Sequence, residues 1–185
     1  MAMRMMPTTA TAARQRGAAL VVGLIFLAML SLMGVAAYMV ATQEERLAGN
    51  TRDRIRAFEA AEASLRDCES LLGGFGSLPN FDGSNGMYVA PAVGTAQVYE
   101  TVDWRNDSAV RRIPQVGGAD AIPDVAVQPR CIIERIGDIE VRRLSDARSG
   151  PQEVTIETIY RITAMGYGTN PSTTVNLQTM FRRPQ

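Results

Sequence analysis

The chain contains no histidine and no lysine, because all 19 of its basic residues are arginine. Histidine is the most frequent general base and a common metal ligand, so its absence argues against Ser-His-Asp or Cys-His catalysis. The sequence also lacks a phosphate-binding glycine motif and any metal-ligand residues at the usual spacings. We therefore predict a protein that is not an enzyme and that uses no cofactor and no metal.

Negative charge is missing from the N-terminal part of the chain, where the first acidic residue is Glu44. Residues 18–43 carry no charge of either sign. In the leader 1–17 all of the charged side chains are basic, namely Arg4, Arg14 and Arg16. At a rise of about 1.5 Å per residue, a helix over 18–43 crosses a hydrocarbon core about 30 Å thick. Because basic residues mark the cytoplasmic end of a span, we predict a cytoplasmic N-terminus and, after Gln43, the exported part of a bacterial protein.

The apolar segment has three interpretations. As a secretory signal it would be cleaved after the small residues at 35–37, although signals usually have only about 7–15 apolar residues. As a plain anchor it would stay uncut. The third interpretation rests on Gly17, which ends the basic leader and directly precedes Ala18. This arrangement resembles the cleavage site of type IV prepilins.

The exported part has the size and cysteine content of one extracytoplasmic domain. Without the leader and the apolar segment, about 140 residues remain, which is enough for one hydrophobic core. Cys68 and Cys131 both lie there, where thiols are usually oxidised, and their spacing matches no metal motif. We expect a disulfide between a helix and a strand, the alternative being two buried reduced thiols. The formal net charge is zero without a basic patch, so no nucleic-acid binding is predicted.

A single long helix is predicted over 18–72, because no proline interrupts this range. Its second half, 44–72, is amphipathic, with an apolar stripe at three- and four-residue steps that should pack on a sheet. The stripe consists of Leu47, Thr51, Ile55, Phe58, Ala61, Leu65, Cys68 and Leu72. The pair Gly73-Gly74 should end the helix.

The remaining range, 73–185, alternates between loops and β-rich segments. Alternation and β-branched content predict the strands, which are Ala96–Trp104, Cys131–Ile136, Glu153–Ala164 and Thr173–Arg182. The segments 73–86, 111–124 and 137–150 are predicted loops, and 168–172 a hairpin turn. The predicted fold class is therefore α+β, with the long helix packed on an antiparallel sheet of about four strands.

Two local features could suggest ligand binding. Residues 82–86 contain two acidic or amide side chains, but they lack the alternating carboxylates and distal glutamate of a calcium loop, so we predict a solvated turn. Trp104 is the only tryptophan, and a core or loop anchor is the expected role for it rather than ligand stacking.

Motifs at both ends of the chain carry a family resemblance. After the apolar segment, residues 44–50 read EERLAGN, 52–54 read RDR and 57–66 read AFEAAEASLR. Near the C-terminus, 160–168 read YRITAMGYG and 175–179 read VNLQT. These motifs are similar to the opening and closing signatures of the PilX-type minor pilins of type IV pili, whose fold combines a long N-terminal helix with a sheet.

The resemblance implies the processing of a prepilin. A prepilin peptidase would remove the leader 1–17 by cutting between Gly17 and Ala18, and it would methylate the new amino group of Ala18. Most major pilins carry glutamate at the fifth mature position, where this chain has Val22. A subunit with no other subunit ahead of it does not need that carboxylate, so Val22 implies a position at or near the filament tip.

The resemblance also implies partners and a location. We expect a minor pilin that primes pilus assembly and supports twitching motility and adhesion, with the prepilin peptidase, other minor pilins, the major pilin and the inner-membrane assembly platform as partners. It should lie in the inner membrane with a periplasmic C-terminal domain before assembly, and in the surface pilus afterwards. The alternatives are a tip adhesin that binds through loops in 73–150, a type II secretion pseudopilin, and an anchored protein unrelated to pili.

Overall fold

The computed structural model describes residues 18–74, 76–113, 121–143 and 153–184. Its elements, in chain order, are α1 (Ala18–Gly73), β1 (Met87–Val89), α2 (Val98–Thr101), β2 (Arg111–Arg112), β3 (Arg130–Arg143), β4 (Glu153–Tyr167) and β5 (Thr174–Pro184). The predicted α+β class, with a long N-terminal helix and a sheet, is confirmed.

The chain divides into two compact units, Met1–Ala48 and Gly49–Gln185. The described part of the first unit is the apolar beginning of α1, which no proline interrupts, and its large side chains are exposed. Among the described residues, α1 is the one helix that is long and apolar enough to cross a membrane. The expected spanning segment is thus helical.

In the second unit, the end of α1 lies across one face of the sheet. The side chains that α1 buries there are mostly small, namely Ala57, Ala60, Ala61, Ser64, Cys68 and Leu72. They bring the helix close to β4, since a Cβ atom on Gly166 would lie 2.1 Å from the carbonyl oxygen of Ala57. Only glycine at this position permits that separation of helix and strand.

Within the residues that the structure describes, the sheet has five strands in a mixed arrangement. β3, β4 and β5 form two consecutive antiparallel pairs, β1 pairs with β3 in parallel, and β2 adds a short antiparallel pair to β3, giving the order β1-β3-β4-β5. The predicted C-terminal hairpin is confirmed, with 168–173 as its connection. Among the described strands, β5 is the outermost on its side.

The hydrophobic core lies between α1 and the face of the sheet that α1 covers. It joins side chains from the helix and three strands, namely Cys68, Leu72, Met87, Cys131, Ile133, Tyr160, Ile162 and Ala164. On the opposite, outer face, Ile132 and Glu134 of β3 are also fully buried. Both faces of the central strands are therefore covered.

The structure corrects three details of the predicted elements. The segment Ala96–Trp104 contains the short helix α2 instead of a strand. The predicted loop 137–150 is strand as far as Arg143, because β3 continues past an irregularity between Arg135 and Gly137 and stays paired with β4. Within 73–86 and 111–124, the loop predictions hold for the described residues except Gly73, which is the last residue of α1, and Arg111–Arg112, which form β2.

The predicted apolar stripe of α1 is only partly correct. Ala61, Cys68 and Leu72 are buried, whereas Ile55 and Phe58 are 52% and 46% exposed. The buried face is rotated toward Ala57 and Ala60, because the close approach of α1 to Gly166 selects small side chains over the larger ones beside them. Two large apolar side chains of the helix are consequently left at its flank.

Candidate functional site

The predicted processing site lies at the border of the described residues. Gly17 and the leader 1–17 lie outside them, and Ala18 is the first residue of α1. Val22 lies in the same helix with an exposed apolar side chain. Since the first acidic residue of the chain is Glu44, no carboxylate of the chain's own accompanies the helix start.

The predicted disulfide between Cys68 and Cys131 is present and joins α1 to β3. Both cysteines are fully buried and belong to the hydrophobic core. The bridge closes a loop with a sequence separation of 63 residues. Such a cross-link stabilises a fold by about 2–4 kcal/mol, in the chain-entropy account by restricting the unfolded chain.

Asp53 of α1 holds the turn between β4 and β5. Its Oδ1 atom accepts hydrogen bonds from the backbone N–H of Thr169, at 2.5 Å, and of Asn170, at 3.4 Å. Hydrogen bonding from the Thr173 side chain, with smaller contributions from these two residues, lowers the pKa of Asp53 below its ordinary value of 3.8. The ionised carboxylate thus stabilises the end of the hairpin against the helix.

One turn further along α1, Arg56 makes a second connection to the same turn. Its guanidinium donates to the hydroxyl of Thr169 at 3.2 Å and lies 3.7 Å from the carboxylate of Asp124. The hairpin turn, the helix and the loop before β3 therefore meet at this place.

A buried ion pair anchors α2 to the outer face of the sheet. Glu134 of β3 and Arg161 of β4 are direct cross-strand partners, and their side chains form two hydrogen bonds of 2.8 and 2.9 Å. Glu134 also accepts from the backbone N–H of Val98, at 3.2 Å. The guanidinium of Arg161 donates to the Gln97 side chain and lies 5.0 Å from the centre of the Tyr99 ring.

Each member of this ion pair depends on the other. The side chain of Glu134 is fully buried and that of Arg161 is 12% exposed. Hydrogen bonding to Glu134 raises the pKa of Arg161 above its ordinary value. A buried charge is tolerated only when it is paired and hydrogen-bonded, so the pair and the start of α2 form one structural unit.

A second arginine anchors the loop that follows α2. Arg130 donates to the carbonyl oxygen of Trp104, and its guanidinium lies 2.9 Å from the carboxylate of Asp107. Asp107 also pairs with Arg112 at 2.7 Å. Trp104 itself is half-buried and donates to the carbonyl of Tyr99 at 3.4 Å, so it serves as the loop anchor that its sequence predicted.

The segment 82–86 forms a tight turn. Asp82 accepts hydrogen bonds from the backbone and the hydroxyl of Ser84, which lower the pKa of its carboxyl group. The backbone has positive φ at Gly83, Asn85 and Gly86, as tight turns require. Within the described ranges, no group of three or more His, Cys, Asp or Glu side chains is placed to hold a metal ion.

Sequence reasoning missed the two polar anchors, Asp53 and the Glu134–Arg161 pair. A signal was present for the pair, because Glu134 interrupts an apolar run and Arg161 lies inside the alternating strand that pairs with it. Charged residues at the centre of neighbouring strands need a partner, and the register of the two strands supplies it. No comparable pattern marks Asp53, because it lies among other charged side chains in a largely exposed stretch of α1.

The family comparisons cover both parts of the chain. Residues 16–66 match the family model described as PilX N-terminal, and residues 75–183 match the model described as type IV pilus assembly protein PilX C-term. No curated protein and no solved structure matches the chain significantly.

Proposed function

The chain belongs to the PilX family of type IV pilus assembly proteins, which are minor pilins, and from this premise we propose that it helps to prime pilus assembly at or near the filament tip. Through the assembled pilus it supports twitching motility and adhesion. The family is one of structural pilus components, which agrees with the expectation that the chain is not an enzyme.

The observation that carries the tip position is Val22. In the proposed mature protein, Ala18 provides a positively charged amine, and the apolar helix after it holds no carboxylate before Glu44. An unpaired charge buried among apolar helices costs several kcal/mol, so a shaft subunit needs a carboxylate at this place for the amine of its neighbour. A subunit at the tip has no neighbour ahead of it and accommodates valine.

Assembly begins from the membrane in this proposal. The leader 1–17 remains in the cytoplasm, the helix from Ala18 crosses the inner membrane, and the second unit folds in the periplasm. The prepilin peptidase cuts after Gly17 and methylates Ala18. The uncharged helix then exchanges lipid for the helices of other minor pilins and the major pilin at the assembly platform, at little hydrophobic cost.

The family match favours the type IV pilus over type II secretion, because both parts of the chain correspond to PilX.

The processing step is tested by the mass and the N-terminal peptide of the protein from membranes of cells with and without prepilin peptidase. We expect a chain that begins at methylated Ala18 only when the enzyme is present. A chain that begins at Tyr38, or that keeps its leader in both strains, contradicts the proposal.

The tip position is tested by immunogold labelling of isolated pili. Wild-type protein should label filament ends, and Val22→Glu should label the shaft as well, because the added carboxylate can pair with a neighbouring amine. Val22→Leu, which changes shape without adding charge, should leave the label at the ends. Abundant wild-type label along the shaft contradicts the tip position.

A further inference from the structure

The first eight residues of the edge strand β5 lack the features that normally prevent an edge from pairing with another chain, and only its end, Arg182 to Pro184, carries charge and proline. Its pairing with β4 runs from Tyr167↔Thr174 to Glu157↔Pro184 without a register shift. Thr174 to Phe181 are 8 consecutive residues without a charge or a proline. Natural edge strands are usually short, bulged, charged or covered. A long, regular and uncharged edge is therefore suited to pairing with a further strand.

The backbone of β5 retains hydrogen-bonding capacity on its outer side. In an antiparallel pair, alternate residues direct their N–H and C=O groups away from the partner strand. In the part of the chain that the structure describes, no strand lies beyond β5 to receive them. An extended chain beside β5 would satisfy these groups, as in other cases of strand addition to a sheet edge.

An apolar groove lies beneath the position that such a strand would occupy. On the face toward α1, Val175 and Leu177 of β5 are only half-buried, and Ile55 and Phe58 of α1 are about half exposed. These two helix residues border a groove of about 620 Å³ between α1 and the start of β5. An added strand would place alternate side chains over this groove, and apolar ones would be buried there.

The charge that borders this groove is basic. Arg54 lines the groove at the beginning of β5, whereas Arg182, near the end of the strand, already pairs with Glu157 of β4 at 3.7 Å. Among the described residues, the groove lining contains no acidic side chain. A complementary strand therefore carries an acidic residue at the end that lies near Arg54. β5 of a second copy does not, because its charged residues are both arginine.

We propose that β5 binds an extended segment of another polypeptide as a sixth strand of the sheet. The segment alternates apolar and polar residues, directs its apolar side chains toward Ile55 and Phe58, and carries an acidic residue near Arg54. The interface combines backbone hydrogen bonds, apolar burial and charge, so its specificity comes from the alternation and the terminal charge of the partner.

The first test uses the full chain in detergent and a synthetic peptide in which valine and threonine alternate between terminal glutamates. We expect the peptide to bind and to slow hydrogen exchange at the outward amides of residues 174–182. The same peptide with alternate N-methylated amides should not bind, and lysine at its ends should weaken binding at least about tenfold. Absence of protection in β5, or equal binding of the N-methylated peptide, overturns the proposal.

Variants of the chain locate the effect. Asn176→Glu places a negative charge on the edge beside the groove and should weaken binding of the glutamate-ended peptide at least about tenfold, because it opposes edge pairing and repels the acidic end. Ser70→Glu adds the same charge at an exposed position of α1 away from the groove and should bind like the wild type. Equal affinities of the Asn176→Glu variant and the wild type overturn the proposal.

A photo-crosslinkable residue at Met180, which is 58% exposed on β5, identifies the occupant in cells. Cross-linking to an alternating extended segment of another protein with an acidic residue at one end supports the proposal. Cross-linking only to a second copy of this chain overturns it, and so does cross-linking to a helix or to a segment without acidic residues.

Discussion

At the scale of single residues, Gly166 determines how closely α1 approaches the sheet. An added Cβ atom there would lie 2.1 Å from the carbonyl oxygen of Ala57 and 2.3 Å from the backbone nitrogen of Ala61. Both contacts are to helix backbone, which cannot move away as a flexible side chain could. Relief therefore requires α1 to shift on the sheet, at the expense of the core that it covers.

We predict that Gly166→Ala lowers the free energy of unfolding by at least about 2 kcal/mol. Chemical denaturation of the purified protein measures this change. The control is Gly49→Ala, because Gly49 is helical with no atom within 4 Å of an added Cβ. That change should stabilise by up to about 1 kcal/mol through helix propensity. Equal stability of Gly166→Ala and the wild type would contradict the close contact.

Asp53 makes stability depend on pH in a predictable direction. Hydrogen bonds lower its pKa in the folded state, so its contribution is fully present above the ordinary value of 3.8 and is lost as the pH falls through the folded pKa. We expect Asp53→Ala to lower the Tm at pH 7, and this difference to shrink below about pH 4.

Thermal unfolding followed by circular dichroism between pH 3 and about pH 7 measures the Asp53 effect. The matched control is Glu59→Ala, which removes another exposed carboxylate from the same helix. Its Tm difference from the wild type should be smaller at neutral pH. A difference for Asp53→Ala that stays constant over the whole pH range would show that the carboxylate charge is not responsible.

At the scale of elements, the buried Glu134–Arg161 pair connects two strands with α2. We predict that Arg161→Met costs about 3–5 kcal/mol of stability, because the carboxylate of Glu134 is left buried without its cation. The double variant Glu134→Leu/Arg161→Met should cost less, since no uncompensated charge remains. Denaturant titration of the single and double variants measures both effects and gives the coupling energy.

The neighbouring pair Arg135–Asp138 is the control for this prediction. Its side chains are 43% and 39% exposed, so Arg135→Met should change stability by at most about 1 kcal/mol. Equal losses for Arg135→Met and Arg161→Met would mean that burial does not distinguish the two pairs.

The same ion pair explains why α2 could not be predicted. The segment around Val98 alternates and contains β-favouring residues, which is the local signal of a strand. The structure forms a helical turn there because Glu134 accepts from the N–H of Val98 and Glu100 accepts from that of Gln97. The first of these contacts comes from β3 and is a tertiary effect beyond any local pattern.

Other elements were predictable because their signals are local. The absence of proline and the pair Gly73-Gly74 define α1, and the turn formers at 168–172 define the β4–β5 hairpin. The cysteine pair was predictable because the sequence places both cysteines in the part of the chain that is expected to be exported. The continuation of β3 beyond Gly137 was not, because a glycine followed by polar residues indicates a loop unless the pairing with β4 is known.

At the scale of the whole molecule, the apolar start of α1 determines where the protein partitions. We predict that the full chain stays in the membrane fraction after alkaline carbonate extraction, because residues 18–43 carry no charge and form a helix. A variant in which residues 1–43 are replaced by a cleavable secretion signal should appear in the soluble periplasmic fraction. Release of the full chain by carbonate would contradict a membrane-spanning helix.

The disulfide between α1 and β3 also determines how the molecule carries mechanical load. A pull applied between the helix and the C-terminal strands passes through the bond from Cys68 to Cys131 and bypasses the chain between them. β1, α2 and β2 lie in that bypassed stretch, so tension along a filament cannot extend them while the bond is intact. The shortest of the described elements are thereby kept out of the line of force.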